Sequence, residues 1–176
     1  MTLTFDDIAS DFIGLVPPTY GGLIWDRFGY SDGSAPIRTE SGYDNGRVSG
    51  NYVAFNIVTA IAPTITGPKF NFESAYLAAA WNDNLNVRIR GLRNGTQLYD
   101  EIAVVNTTEP TFFTFDFLGI DTLEFTSFGG TPRPGLSGSG LNFAMDDFSV
   151  SLPEPTPIVL AAGLVLICTG CRHAYR

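Results

Sequence analysis

The strictest constraint on this chain is a period of two. Val87-Arg88-Ile89-Arg90 alternates apolar with charged, so a strand here would press one row of side chains on a core and leave the other in water. Arg93-Asn94-Gly95-Thr96 follows with the Asn-Gly pair favoured in tight hairpin turns, and Leu98 to Val105 reads as the returning partner. Phe113, Phe115 and Phe117 alternate with Thr114 and Asp116 in the same way, and Leu123 to Phe128 is again rich in β-formers. Leu3 to Asp6, Leu23 to Phe28, Asn51 to Val58, Lys69 to Leu77 and Phe143 to Leu152 complete the strand candidates, and no long stretch of the body carries a helical period. Pro17 to Gly22, Asp32-Gly33-Ser34 and the glycine-rich Gly129 to Gly140 supply turns between them. About eight or nine strands in this pattern predict an all-β, antiparallel jelly-roll β-sandwich.

The chain divides into a body, residues 1–152, and a tail, residues 153–176, of different character. With 13% aromatic and only 16% charged residues, the chain has the composition of a folded protein rather than a disordered one. The whole chain carries a formal charge of −8, and the tail contributes Arg172 and Arg176 against Glu154, so the body alone is one unit more negative. Nucleic acid is a poor partner for such a surface, because phosphate binding needs clustered Lys and Arg. Both cysteines, Cys168 and Cys171, fall in the tail, which leaves the body without an internal disulfide; the pair reads as small tail residues.

In the tail, Pro153-Glu154-Pro155 precedes an uncharged apolar run from Ile158 to Cys171, and Arg172, His173 and Arg176 close the chain. Such a run partitions out of water as a hydrophobic helix while the terminal cations stay at a cytoplasmic face. At roughly 14 residues against the ~20 of a relaxed span, it would seat by snorkelling or local thinning. The arrangement resembles the PEP-CTERM sorting signal of exported bacterial proteins. The resemblance implies an exosortase-type membrane enzyme as partner, anchoring in the membrane through the C-terminal helix, and a final place in the cell envelope or outside it. Met1 to Asp7 holds no basic or apolar leader, so a signal peptide is expected upstream of the present start. A plain C-terminal membrane anchor is the competing reading of the tail.

Phe5-Asp6-Asp7, Tyr20-Gly21-Gly22-Leu23-Ile24-Trp25, Ala75 to Asp83 and Phe143-Ala144-Met145-Asp146-Asp147-Phe148 together resemble a set found in uncharacterised bacterial and fungal extracellular β-sandwich proteins. That likeness spans most of the body and implies a jelly roll of the carbohydrate-binding type, with no activity assigned.

The residue inventory excludes most catalytic designs. The single histidine, His173, is in the tail, so the body has no imidazole for a nucleophilic triad and no His or Cys for a catalytic zinc. Lys69 is the only lysine, and no phosphate-binding Gly-x-x-x-x-Gly-Lys pattern occurs. The expectation is therefore a non-enzymatic protein, with a carboxylate-dependent glycosidase or lyase as the alternative. Two acidic pairs flanked by apolar strand residues, Asp6-Asp7 and Asp146-Asp147, would converge if first and last strands pair, offering the oxygen ligands of a structural Ca²⁺. Tyr20, Trp25 and Tyr43 are candidates for stacking on a glycan, whereas Trp81, directly after Ala78-Ala79-Ala80, reads as core.

Overall fold

The computed structural model describes residues 1–8, 10–57 and 60–152. The expected C-terminal hydrophobic helix and the sorting motif Pro153, Glu154, Pro155, Arg172 and Arg176 lie outside the described residues. Ten strands follow one another: β1 (Thr2–Leu3), β2 (Ile13–Leu15), β3 (Ile24–Asp26), β4 (Phe28–Asp32), β5 (Tyr52–Asn56), β6 (Thr64–Ala79), β7 (Asn82–Arg93), β8 (Thr96–Val105), β9 (Thr111–Pro132) and β10 (Phe143–Ser151). One short helix, α1 (Gly42–Asn45), and two 3-10 turns fall between β2 and β5. Every ladder is antiparallel, in the order β2-β4-β5-β10-β6-β9-β7-β8, with β1 added on β10 and β3 on β6.

Two long strands turn this ladder into a β-sandwich-like arrangement. β6 pairs β10 over Asn71 to Ala79 and β3 over Thr64 to Thr66, while β9 pairs β6 up to Glu124 and β7 from Thr122 to Pro132. Register shifts between Thr66 and Ser74 mark where β6 bends against β9, and Asp116 (φ 50°) and Gly119 (φ 69°) take left-handed backbone at the matching stretch of β9. The layers so formed face each other through aromatic rings. Phe28 of β4 meets Phe125 of β9 at 5.5 Å between centroids, and Phe125 meets Phe143 of β10 at 5.7 Å.

The period-two readings hold residue by residue. Leu85, Val87 and Ile89 are buried with Arg88 and Arg90 on the opposite face, and Asn94 (φ 49°) and Gly95 (φ 75°) form the hairpin turn to β8. Elsewhere the boundaries move. Phe5 (φ 66°) turns the chain after Leu3, so the first strand is shorter than Leu3 to Asp6. Arg27 (φ 60°) breaks the run from Leu23 to Phe28 into β3 and β4, which join different neighbours. The two runs expected at Phe113 to Phe117 and Leu123 to Phe128 are a single bent strand, β9.

Candidate functional site

β1 and β10 do pair, with Thr2 opposite Ser149 and Leu3 opposite Phe148, so the two acidic pairs come to the same end of the molecule. They do not converge. Asp6 Oδ1 accepts the backbone N–H groups of Asn51 (2.8 Å) and Tyr52 (3.2 Å), and Asp7 Oδ1 accepts the Tyr20 hydroxyl at 2.7 Å. Asp146 is fully buried. Its Oδ2 accepts the N–H groups of Val48 (2.7 Å) and Ser49 (2.9 Å), and its Oδ1 accepts Ser49 Oγ (2.9 Å) and the Asp147 N–H (2.7 Å). Gly50 (φ 49°) lies so close to the Asp6 carboxylate that any side chain there would collide with it.

The geometry shows which partners within the chain Asp6, Asp7 and Asp146 have, three of the four acids expected, with Asp147, to hold Ca²⁺. Among the described residues no group of three or more acidic, His or Cys side chains stands together as a metal site. N–H groups of the loop 48–52 donate to two of these carboxylates, Asp146 and Asp6. A register shift in β10 between Asp146 and Ser149, with Asp147 in left-handed backbone (φ 47°), breaks the even pairing on which convergence depended. Burial pushes the Asp146 carboxyl above its ordinary value, and the hydrogen bonds from Val48, Ser49 and Asp147 pull against that shift.

The proposed sugar platform is corrected, because Tyr20, Trp25 and Tyr43 are only 9%, 6% and 3% exposed. Trp25 meets Phe28 and Phe148 edge-on, each at 5.3 Å, and its Nε1 donates to the Tyr20 carbonyl at 2.9 Å. Burial, and then the hydrogen bond to Asp7, raise the Tyr20 hydroxyl pKa. Tyr43 packs on Phe55 and Trp81 beneath the Arg38 guanidinium, 4.3 Å from its ring centre, and burial pushes its hydroxyl up to about 12. Trp81 is core, as its alanine run implied. The edge of Trp25 does reach a cleft of about 240 Å³, walled by Leu15, Pro17, Pro18 and Ile57, with the Asp26–Arg27 ion pair as its main polar feature.

Exposed rings occur elsewhere. Phe12, Phe112 and Phe128 are the phenylalanines more than a third exposed among the described residues. Phe12 lies beneath Arg38, 5.4 Å from its ring centre, whereas Phe112, 52% exposed, is paired across the strands with Tyr76, centroids 5.0 Å apart and planes inclined by 51°. Tyr76 occupies the middle of a row, with Phe112 opposite it on β9 and Asp146 opposite it on β10. The next row on that face is Ser74 and Thr114. Period two makes this pair legible: if Phe113, Phe115 and Phe117 point inward, Phe112 must join Thr114 and Asp116 outside, and Tyr76 lies out of phase with buried Ala75 and Leu77.

No family model matches the chain, and no curated protein matches it either. Among solved structures it is similar to the crystal structure of a DUF4465 family protein from Bacteroides ovatus ATCC 8483, at a TM-score of 0.50 and 8% identity, over 85% of this chain and 88% of that one. That likeness concerns the fold alone.

Proposed function

We propose that this protein is an exported, non-enzymatic glycan-binding domain of jelly-roll type, delivered by a C-terminal PEP-CTERM signal through an exosortase-type enzyme. The observation that carries the reading is the succession in the tail sequence of Pro153-Glu154-Pro155, the uncharged run Ile158 to Cys171, and Arg172 with Arg176. The tail fixes the address, and the body performs whatever binding follows. A jelly-roll description is supported by the place of β10 between β5 and β6, with β1 beside it, so that the last strand is central rather than terminal. The non-enzymatic reading is supported by the use of the buried Asp146 carboxylate: both its oxygens are occupied by donors of Val48, Ser49 and Asp147, which leaves none for a substrate proton.

Expression behind a secretion leader, in hosts with and without an exosortase, tests the address. The full chain should fractionate with membranes and be processed only where the enzyme is present, and a chain ending at Leu152 should be soluble. Membrane association that survives removal of residues 153–176 would contradict the reading.

A further inference from the structure

We propose that the end of the body from which the tail departs docks on an anionic lipid surface through Lys69 and Arg93; this rests on the reading above of the tail as a membrane-directed sorting signal. The other cations of the body are occupied. Arg27, Arg47, Arg88 and Arg90 pair with Asp26, Asp44, Asp100 and Glu124, Arg38 lies over the rings of Phe12 and Tyr43, and Arg133 donates to the Thr107 hydroxyl. Lys69, the only lysine of the chain, and Arg93 form no ion pair among the described residues, yet they meet at one place, the left-handed Gly119 (φ 69°) of β9. Lys69 Nζ and Arg93 Nη1 lie 3.6 Å and 3.5 Å from the point where a side chain on Gly119 would begin, and Arg93 Nη1 donates to the Gly119 carbonyl at 2.7 Å. Asp121, the acid nearest to Gly119 in sequence, instead accepts the Asn94 N–H (2.7 Å) and the Thr122 hydroxyl (3.0 Å). Two like charges brought together without a carboxylate, on a chain of charge −8, retain their attraction for an anion from outside.

That place is also where the chain leaves the body. Asn71 accepts the Gly119 N–H on Oδ1 (2.8 Å) and donates through Nδ2 to the hydroxyl of Ser151 (3.1 Å), the last residue of β10. From Leu152 to Pro157 the chain can reach no farther than roughly 20 Å before the apolar run opens at Ile158. A run seated in the bilayer therefore keeps Lys69 and Arg93 close to the headgroups, where cations attract anionic lipid over about one Debye length. Exposed aliphatic side chains flank them. Leu118, beside Gly119, is 59% exposed, and Leu152, 40% exposed, lies against Gly22, two residues before Ile24, which is 55% exposed. The net negative charge of the rest of the body is repelled by the same lipids, which favours this end over the others.

The test uses the full chain in nanodiscs of phosphatidylcholine alone and of phosphatidylcholine with roughly 30% phosphatidylglycerol. Because Lys69 is the only lysine, its acetylation rate, read by mass spectrometry on its own peptide, reports access to this one place. The rate should be roughly threefold to tenfold lower in the anionic discs than in the neutral ones, and the difference should vanish at about 1 M salt, where the Debye length is ~3 Å. Arg93→Gln should remove most of the difference. Arg133→Gln, at the other end of β7 beside Trp81, should leave it unchanged. Equal rates in the two kinds of disc would overturn the docking while leaving the tail reading in place. A chain that does not enter the discs at all would overturn both. Slow acetylation in both kinds of disc that Glu154→Gln relieves would make a carboxylate of the chain's own tail the occupant and also defeat the proposal.

Discussion

At the β1–β10 junction, Trp25 and Asp146 are shut away from water; on the outer face of β6 and β9, Phe112 and Asp116 stand in it. Trp25 at the junction is enclosed by Phe5, Phe28 and Phe148, and Asp146 is held by donors of the distant loop 48–52. On the outer face Phe112 has one aromatic neighbour, and Asp116 is exposed. Residue identity therefore does not separate groups used by the fold from groups left outside it. Burial does, because an enclosed ring or carboxylate has already used its contacts on the fold, while an exposed one has not.

The strongest way to break this contrast is at the most enclosed ring. Trp25→Ala removes edge-on contacts to several rings and leaves a cavity, so it should cost about 3–5 kcal/mol of folding stability, read by denaturant unfolding. Asp146→Ala comes next. It removes the buried acceptor of the Val48, Ser49 and Asp147 N–H groups and should cost about 3 kcal/mol, with the loop 48–52 losing its protection from hydrogen exchange. These donors already fill both oxygens of the carboxylate, so the expected outcome is that neither EDTA nor added calcium shifts the melting temperature. A calcium-dependent rise that Asp146→Ala abolishes would reinstate the metal.

A smaller effect separates two kinds of acid by pH. Asp83 accepts the Thr107 hydroxyl and N–H, which hold its carboxyl below the ordinary value; its stabilisation is present above that ordinary value and is lost as pH falls through the lowered one. Asp146, raised by burial, contributes in the other direction: its share is full below the ordinary value and declines as pH rises through the raised one. The two slopes oppose each other in the carboxylate range. Asp146→Asn should therefore steepen the gain of stability with rising pH there, and Asp83→Asn should flatten it. Identical slopes in both variants would show that these carboxyls do not differ in the way their surroundings require.

Much of the fold was readable from alternation, and the candidate site only partly. The β7–β8 hairpin follows from Val87 to Arg90 and the Asn94-Gly95 turn, since both signals are local. The breaks at Phe5 and Arg27 were not readable, because each places an ordinary residue in left-handed backbone that only tertiary packing imposes. The same limit applied to the acids: Asp6 and Asp146 look like ligands in sequence, and only the distant loop 48–52, brought against them by folding, shows which donors they hold. Trp25 was misread as a platform because a Gly-Gly turn precedes it; that turn folds back over the ring instead of exposing it. Phe112, by contrast, was within reach, for its phase relative to Phe113, Phe115 and Phe117 assigns it to the outer face.

The most direct test is the thermal unfolding of Phe112→Ala beside that of Trp25→Ala. An aromatic ring half in water with one ring neighbour contributes little to the fold, so Phe112→Ala should melt within a degree or two of the wild type, a change of about 0.5 kcal/mol or less. Trp25→Ala should melt far lower. If Phe112→Ala lost as much stability as Trp25→Ala, the outer pair would be part of the structural core, and the division between enclosed and free aromatic rings would fail.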